Sequence, residues 1–502
     1  MLQKLKNILI YLYEAFLFIV FPLWIPNGYY DLAGDKYDIF MLISLVMIAI
    51  FLILGIINFI LFLIIHRKEK AVYHFGIMSS LKEVPSQYVI QLITVLFFIS
   101  LTVSTLLSDY REQAFVGTPG WYMGFFTYMI LFFIIHLLNS RQSWNAKITV
   151  ALELIGSFVV NVIATLNRFR IYPVKGIENV RYFISTIGNS NWYAGYLCLF
   201  LFINIGIFLT YNFKNKISEI IFGSYIVLGS FCLWACGSKS VYVFAIPFFL
   251  LSLGYGKKLM TTFICFGISS EIFAFTYETI FHWDDSLDGS MVLFLVRNHI
   301  GIAVVISCTA YLWIKKNRPV KEFIIFTKLR PFLLLFLFLL PLVLLAVQIG
   351  HASLFSPSFG NGRGFIWNIT SNVFKSLTLK QKLFGIGPDS LSFYLYDQQT
   401  TSELLIQQFG NSILTNCHSI LLNNILNWGI IATILYLASN ICIFILGYKQ
   451  KKTCTDIVLF VLISAHVFGM FSFDNILFTP YIFCLWGYTL NMYRSFRQEQ
   501  RS

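Results

Sequence analysis

The stretch IFMLISLVMIAIFLILGIINFILFLIIHRKEK, residues 39–70, decides the fold class. Residues 39–65 carry no charged side chain and are long enough, as a helix, to cross the roughly 30 Å hydrocarbon core of a bilayer. The basic run HRKEK follows at once, which is typical of the cytoplasmic end of a span. We therefore predict a transmembrane helix whose C-terminal end is cytoplasmic.

The rest of the chain repeats this pattern. Of its 502 residues, 58% are hydrophobic and only 12% are charged, whereas soluble domains are roughly 45–50% apolar. We predict an all-α polytopic integral membrane protein that forms one domain over residues 1–502. About 14 transmembrane helices are expected, at residues 8–25, 39–65, 88–107, 120–138, 148–166, 191–211, 217–236, 240–254, 259–277, 294–314, 331–349, 429–447, 455–472 and 476–493.

The positive charge of the chain is explained by its topology. The net charge is +13, and 24 of the 36 Lys and Arg residues fall in segments that the pattern assigns to the cytoplasm. Because cytoplasmic loops of membrane proteins are enriched in cations, this distribution argues against a nucleic-acid partner. Both termini are predicted to be cytoplasmic, with the chain in the cytoplasmic membrane and its first apolar run kept as an anchor.

The nine cysteines form neither a disulfide framework nor a zinc-binding spacing, and most of them lie within predicted spans. The external loops also lack an acidic triad of the kind that would hold a metal ion. We therefore expect no metal site and no cofactor.

The longest segment that is too polar to span a membrane runs from His351 to Asn427. The topology places it outside, and we predict that residues 350–418 form a large external catalytic loop. Three of its stretches are notable: GNGRGFIWNI (360–369), KLFGIGPDSLSFYL (382–395) and TNCHSILLNNILNWGI (415–430).

Arg363 is the cation of this segment with the clearest functional pattern. Glycines surround it, and the apolar residues that follow recur at helical spacing, which predicts an amphipathic helix at the membrane interface beginning at Arg363. A guanidinium cannot deprotonate and can fork onto two phosphate oxygens. Arg363 is therefore a candidate ligand for a diphosphate head group.

His418 immediately precedes an apolar helix on the external side. An isolated histidine at an interface is often structural, but this one shares its segment with Arg363 and the glycine-rich GIGPDS turn. An imidazole in such a place can act as a general base. The external carboxylates Asp389, Asp284 and Asp285 remain alternatives for that role.

Three further cations on the external side, where the positive-inside rule disfavours them, are candidate anion ligands. They are Lys239 in CGSKSV (236–241), Arg297 in VRNHIGI (296–302) and Arg181 in the segment 167–190. They could bind an anion, or they could be solvated or anchored at the lipid surface. Asn191, in GNSNWYAGYL (188–197), opens an apolar helix whose N-terminus can attract an anion, although asparagine caps many helices.

In this order, the pieces resemble the superfamily of O-antigen ligases and O-antigen polymerases (Wzy), which are membrane glycosyltransferases acting on undecaprenyl-diphosphate-linked glycans. The resemblance covers roughly residues 185–435. It rests on GNSNWYAGYL, the GSKS turn, Arg363 and Trp367 in the pattern R-x-x-x-W, LFGIGPDSLSF, and His418 followed by Gly429.

The resemblance implies a GT-C-like fold and an inverting, metal-independent transfer. Within it, His418 corresponds to the external histidine of the family and Arg363 to its loop arginine. The Ser-Arg-Gly turn of the family reads Ser238, Lys239 and Ser240 here, so Lys239 or Arg297 would be the second phosphate ligand, with Asn191 and Arg181 contributing. The implied partners are an undecaprenyl-diphosphate-linked glycan donor, a glycan acceptor and membrane lipid, with a flippase and a chain-length regulator as partner proteins.

We expect transfer or polymerisation of saccharide units for a surface polysaccharide such as a capsule, O-antigen or wall polymer. A polymerase is favoured over a ligase, because a composition rich in Lys, Ile, Phe and Asn suggests an AT-rich genome and a cell without lipopolysaccharide. The alternative from another class is a lipid-linked oligosaccharide flippase or another transporter. Transporters often have repeated halves and interrupted helices at matching positions, and neither is apparent in the sequence.

Overall fold

The computed structural model describes residues 2–66, 86–142, 144–169, 171–174, 185–281, 291–317, 324–450 and 453–499. These residues form helices joined by turns, with no strand among them. The α-helices are α1 (Leu2–Ala15), α2 (Phe21–Leu23), α3 (Leu32–His66), α4 (Ser86–Leu107), α5 (Arg111–Val116), α6 (Phe125–Asn139), α7 (Ala146–Arg168), α8 (Ser190–Thr210), α9 (Lys216–Ala235), α10 (Ser240–Ser252), α11 (Gly256–Thr276), α12 (Met291–Arg297), α13 (Ile300–Asn317), α14 (Ile324–His351), α15 (Phe359–Ser376), α16 (Leu379–Phe384), α17 (Leu391–Asp397), α18 (Gln399–Phe409), α19 (Ile420–Gln450), α20 (Thr453–Phe468) and α21 (Thr479–Glu499). Short π or 3₁₀ segments lie at Phe16–Val20, Leu253–Tyr255, Tyr277–Phe281, Ala352–Leu354 and Gly469–Phe471.

Nine helical stretches of the described chain are long and apolar enough to cross a membrane, and two shorter apolar helices accompany them. The prediction of an all-α polytopic protein is confirmed at this level. Two of the predicted spans, 240–254 and 259–277, fall within one long apolar stretch, Ser240–Thr279. The helix at the last predicted span, α21, is not among the nine, because polar residues such as Asn491 and Arg494 interrupt its apolar character.

The helix α8 lies at the centre of the bundle. It is apolar on all faces and almost entirely buried, as expected for a helix surrounded by others. Its main neighbours are α7, α9, α10 and α20. At the periphery, α3 and α14 expose large apolar side chains such as Leu52 and Phe332. Such surfaces are stable against lipid and would be costly in water.

The 351–427 segment is a folded helical unit and not an open loop. It contains α15, α16, α17 and α18, and it has a hydrophobic cluster of its own around Trp367, Leu391 and Leu422. The predicted interfacial position of the helix after Arg363 is therefore wrong in one respect. The apolar face of α15, including Ile366 and Val373, is buried in this cluster and not laid on the membrane surface.

The GIGPDS turn is joined directly to the start of α19. The amide of Ile386 donates to the Leu426 carbonyl at 3.0 Å, and that of Gly387 donates to the Asn427 carbonyl at 2.9 Å. The side-chain oxygen of Asn427 accepts the amides of Ser390 and Leu391 at 2.9 and 3.0 Å. These bonds fix the GIGPDS turn to the N-terminal part of α19.

Candidate active site

A cavity of about 240 Å³ brings together three of the residues that the sequence analysis singled out. Arg363, His418 and Asn191 all line it, although they lie on three separate parts of the chain. The remaining wall comes from the start of α8, from the residues before α19, and from Trp121, Ser240 and side chains within residues 468–478. The predicted residues are therefore neighbours in space.

Four helices begin at this cavity. Asn189 caps α8, its side-chain oxygen accepting the Asn191 amide at 2.8 Å, and Ser240 is the first residue of α10. The regular turns of α15 start at Arg363, after a kink with positive φ at residues 360–362, and α19 starts two residues after His418. A helix N-terminus has unpaired N–H groups and a partial positive charge. The cavity therefore favours an anion.

Arg363 is the fixed positive charge of the cavity. Its Nη1 donates to the Gly360 carbonyl at 2.5 Å and its Nη2 to the Phe471 carbonyl at 3.2 Å. Burial lowers the pKa of Arg363, but a guanidinium remains charged at any physiological pH. Its buried Nε has no partner within the described ranges. The group is thus held in place and keeps a donor that a ligand oxygen could satisfy.

The backbone at His418 is held in a strained conformation. Its φ of 48° lies in the left-handed region, which costs a residue with a side chain roughly 1–2 kcal/mol. The Asn416 side chain accepts the His418 amide at 3.0 Å, and the Trp367 indole donates to the Cys417 carbonyl at 3.0 Å. Because these bonds hold an unfavourable conformation, a functional role for the position is a reasonable hypothesis.

The surroundings of His418 keep its imidazole neutral. Burial, together with the positive charge of Arg363, lowers the pKa of His418 to about 4. The ring packs edge-on against Phe473, with 5.3 Å between centroids. Neither ring nitrogen has a hydrogen-bond partner in the part of the chain that the structure describes. At neutral pH, the imidazole can therefore accept a proton from a bound molecule.

The other predicted anion ligands are placed differently. Lys239 is exposed and does not line the cavity, although its turn borders it: the Ser238 hydroxyl donates to the Asn191 side chain at 2.7 Å. Arg297 is also outside the cavity, at the end of α12, with its guanidinium 5.8 Å from the centre of the Tyr277 ring. Arg181 lies outside the described residues.

Asp389, the alternative base, has a structural position instead. It is buried and does not line the cavity, and burial raises its pKa to about 7. One carboxylate oxygen accepts the amides of Thr118 and Met123 at 2.7 and 3.0 Å. Asp389 thereby ties the GIGPDS turn to the loop 117–124. The alternatives Asp284 and Asp285 lie outside the described residues.

The sequence analysis did not single out the aromatic part of the wall. Trp121 in GTPGWYMG (117–124) and Phe473 in FSFDN (471–475) line the cavity, and so does Trp192. A signal was present, because the predicted topology puts the start of the span 120–138 and the end of the span 455–472 on the same side as the 351–427 segment. Loop residues held by a rigid scaffold often carry function.

No model of a protein family matches the chain, and no curated protein matches it. Within the described ranges, no group of three or more His, Cys, Asp and Glu side chains is placed to hold a metal ion.

Proposed function

We propose that this protein is a membrane glycosyltransferase that transfers or polymerises undecaprenyl-diphosphate-linked saccharide units in the synthesis of a cell-surface polysaccharide, with a polymerase favoured over a ligase. The observation that carries the proposal is the pairing of Arg363 with His418 in one cavity, at the beginnings of four helices. Such a cavity offers positive charge for a diphosphate and a neutral base for a hydroxyl.

The proposal includes a membrane arrangement. The chain lies in the cytoplasmic membrane with fourteen spans in a GT-C-like fold, both termini are cytoplasmic, and residues 350–418 face outward. This arrangement is supported by the distribution of the cations, since HRKEK (66–70) and KQKK (449–452) fall on the assigned inner side. The substrate would then be used at the outer face.

In the proposed reaction, Arg363 and the helix N-termini hold the diphosphate of the donor. Positive groups that are already fixed in place stabilise the charge that develops on the leaving diphosphate without having to reorganise. The Asn191 side chain, at the start of α8, can donate to a diphosphate oxygen, and Lys239 at the border of the cavity adds long-range attraction. In the metal-independent mechanism that the resemblance implies, these positive groups of the protein stabilise the diphosphate.

His418 takes the proton of the acceptor hydroxyl. The acceptor oxygen attacks the anomeric carbon of the donor sugar on the face opposite the diphosphate, so the new C–O bond forms as the old one breaks. The lipid diphosphate leaves with the bonding electron pair, and the configuration at the anomeric carbon is inverted. The proton passes from the imidazolium to solvent, which restores the neutral base.

A reconstituted assay tests this function. The purified protein is reconstituted in liposomes with EDTA present. The substrate is the lipid-linked glycan that accumulates in cells lacking this protein. We expect longer glycans and free undecaprenyl diphosphate. Movement of the unchanged lipid-linked glycan across the bilayer, with no new glycosidic bond, would contradict the proposal and support a flippase.

A further inference from the structure

Three aromatic side chains form one corner of the cavity, which we call the aromatic corner: Trp121, Trp192 and Phe473. The ring of Trp121 is perpendicular to both of the others, with centroid distances of 4.9 Å to Trp192 and 4.6 Å to Phe473. Such edge-to-face packing is favourable and fixes the orientation of each ring. The corner is therefore a preformed wall.

The aromatic corner contacts His418 directly. Phe473 is the ring against which the His418 imidazole packs. Arg363 instead makes its hydrogen bonds to the carbonyls of Gly360 and Phe471. In the proposed reaction, the donor diphosphate lies at Arg363 and the acceptor hydroxyl at His418. The molecule beside the aromatic corner is then the acceptor.

The chemistry of this wall suits a saccharide ring. The face of an aromatic ring carries partial negative charge, which attracts the polarised C–H groups on one face of a sugar. Besides the aromatic corner, the cavity is lined by the neutral polar side chains of Asn189, Asn416 and Asn475. Amides can both donate to and accept from hydroxyl groups. An apolar wall with a few placed polar groups is the usual composition of a small-molecule site.

The loop that carries Trp121 is held by its backbone. Asp389 accepts the amides of Thr118 and Met123, and the Ile476 amide donates to the Trp121 carbonyl at 3.1 Å. A site whose geometry is fixed before binding loses less entropy when the ligand arrives. Because none of these bonds uses the Trp121 side chain, replacing that side chain leaves the loop anchored.

We propose that the aromatic corner binds a saccharide ring of the acceptor and that Trp121 is a specificity-determining residue. The inference rests on the proposed function and deepens it. Trp121 lies outside residues 185–435, so the N-terminal part of the chain would contact the substrate directly.

The test separates acceptor binding from donor binding. The acceptor probe is the repeat-unit saccharide on a short alkyl chain, which has no diphosphate and can act only as acceptor. The donor-site probe is undecaprenyl diphosphate without sugar. We expect Trp121→Leu to raise the KM for the acceptor about tenfold, as loss of one aromatic contact would, and Trp121→Phe to raise it less. The affinity for undecaprenyl diphosphate should not change.

Trp144→Leu is the matched control. Trp144 stacks on Tyr488, with 5.0 Å between ring centroids, and does not line this cavity, so its replacement should leave the KM for the acceptor unchanged. The inference is overturned if the Trp121→Leu protein has a normal KM for the acceptor or if only its kcat is lowered. It is also overturned if the variant no longer binds undecaprenyl diphosphate. If the wild-type protein neither binds undecaprenyl diphosphate nor transfers sugar, the proposed function fails as well.

Discussion

At the scale of single residues, the way in which the Arg363 guanidinium is held decides what can replace it. Its guanidinium bridges two backbone carbonyls, those of Gly360 and Phe471, and keeps a buried Nε donor. An ammonium group offers one charged point and cannot reproduce this planar arrangement.

Arg363→Lys should therefore lose most transfer activity, on the order of a hundredfold, which is typical for removal of one donor that stabilises the transition state. The change keeps the charge, so a mere electrostatic anchor would tolerate it. The measurement is the initial rate of transfer from the lipid-linked donor. Lys239→Arg serves as the control, because Lys239 is exposed, and it should retain normal activity. Full activity in Arg363→Lys would contradict the proposed diphosphate contact.

The second prediction at this scale concerns pH. Burial and the Arg363 charge lower the pKa of His418 to about 4. The base must be neutral, and the neutral form is present above this pKa and is lost as the pH falls through it. The acid limb of kcat/KM, which reports the free enzyme, should therefore lie near pH 4.

In the complex, the diphosphate offsets the charge of Arg363, so the pKa of His418 should rise. The acid limb of kcat, which reports the complex, should lie at a higher pH than that of kcat/KM. An acid limb of kcat/KM near 6.5, the ordinary value for histidine, would contradict the lowered pKa of His418 in the free enzyme.

At the scale of elements, the joint between the GIGPDS turn and α19 depends on two glycines. Gly385 and Gly429 both have φ of 81°, and a Cβ on either would clash with the backbone of the other. The joint carries Asn427, which binds the amides of Ser390 and Leu391.

Gly429→Ala should destabilise the protein by about 2 kcal/mol, because a side chain is strained at this φ, and the displaced joint should reduce transfer. Thermal unfolding of the purified protein and the transfer rate measure the two effects. Gly223→Ala is the matched control, since Gly223 lies within α9 with no atom within 4 Å of the added Cβ. Equal behaviour of the two variants would mean that the joint does not position the site.

The sequence predicted these elements unevenly. It identified Arg363, Asn191 and His418 because each is a polar side chain at or just before the start of an apolar helix. It did not predict that the 351–427 segment folds around its own hydrophobic cluster, because that cluster joins side chains of several helices that are distant in sequence. Trp121 and Phe473 join the cavity only through long-range contacts, which no local pattern encodes.

At the scale of the whole molecule, long uncharged stretches such as residues 39–65 made the all-α membrane class predictable, because length and hydropathy alone decide it. The number of spans is less directly encoded. The helix α21, at the last predicted span, is buried along most of its length, so protein neighbours, and not lipid, surround many of its polar residues.

The proposed topology predicts opposite labelling at two exposed lysines. Lys380 lies in the 351–427 segment, and Lys449 lies near the end of α19. In a variant without the native cysteines, an impermeant thiol reagent applied from outside should label Lys380→Cys and spare Lys449→Cys. The reverse pattern would place the cavity on the cytoplasmic side, where the proposed acceptor could not be reached.

If His418 and Arg363 act together on a lipid-diphosphate donor, His418→Asn should lose the base while keeping the donor site, and its rate of sugar transfer is the measurement. Asparagine tolerates the left-handed backbone at this position better than alanine does, so the variant should remain folded and keep its affinity for undecaprenyl diphosphate. Loss of a general base should lower the rate by about 10²- to 10⁴-fold, whereas His351→Asn, outside the cavity, should be normal. Transfer of sugar at the wild-type rate by the His418→Asn protein would show that His418 is not the general base.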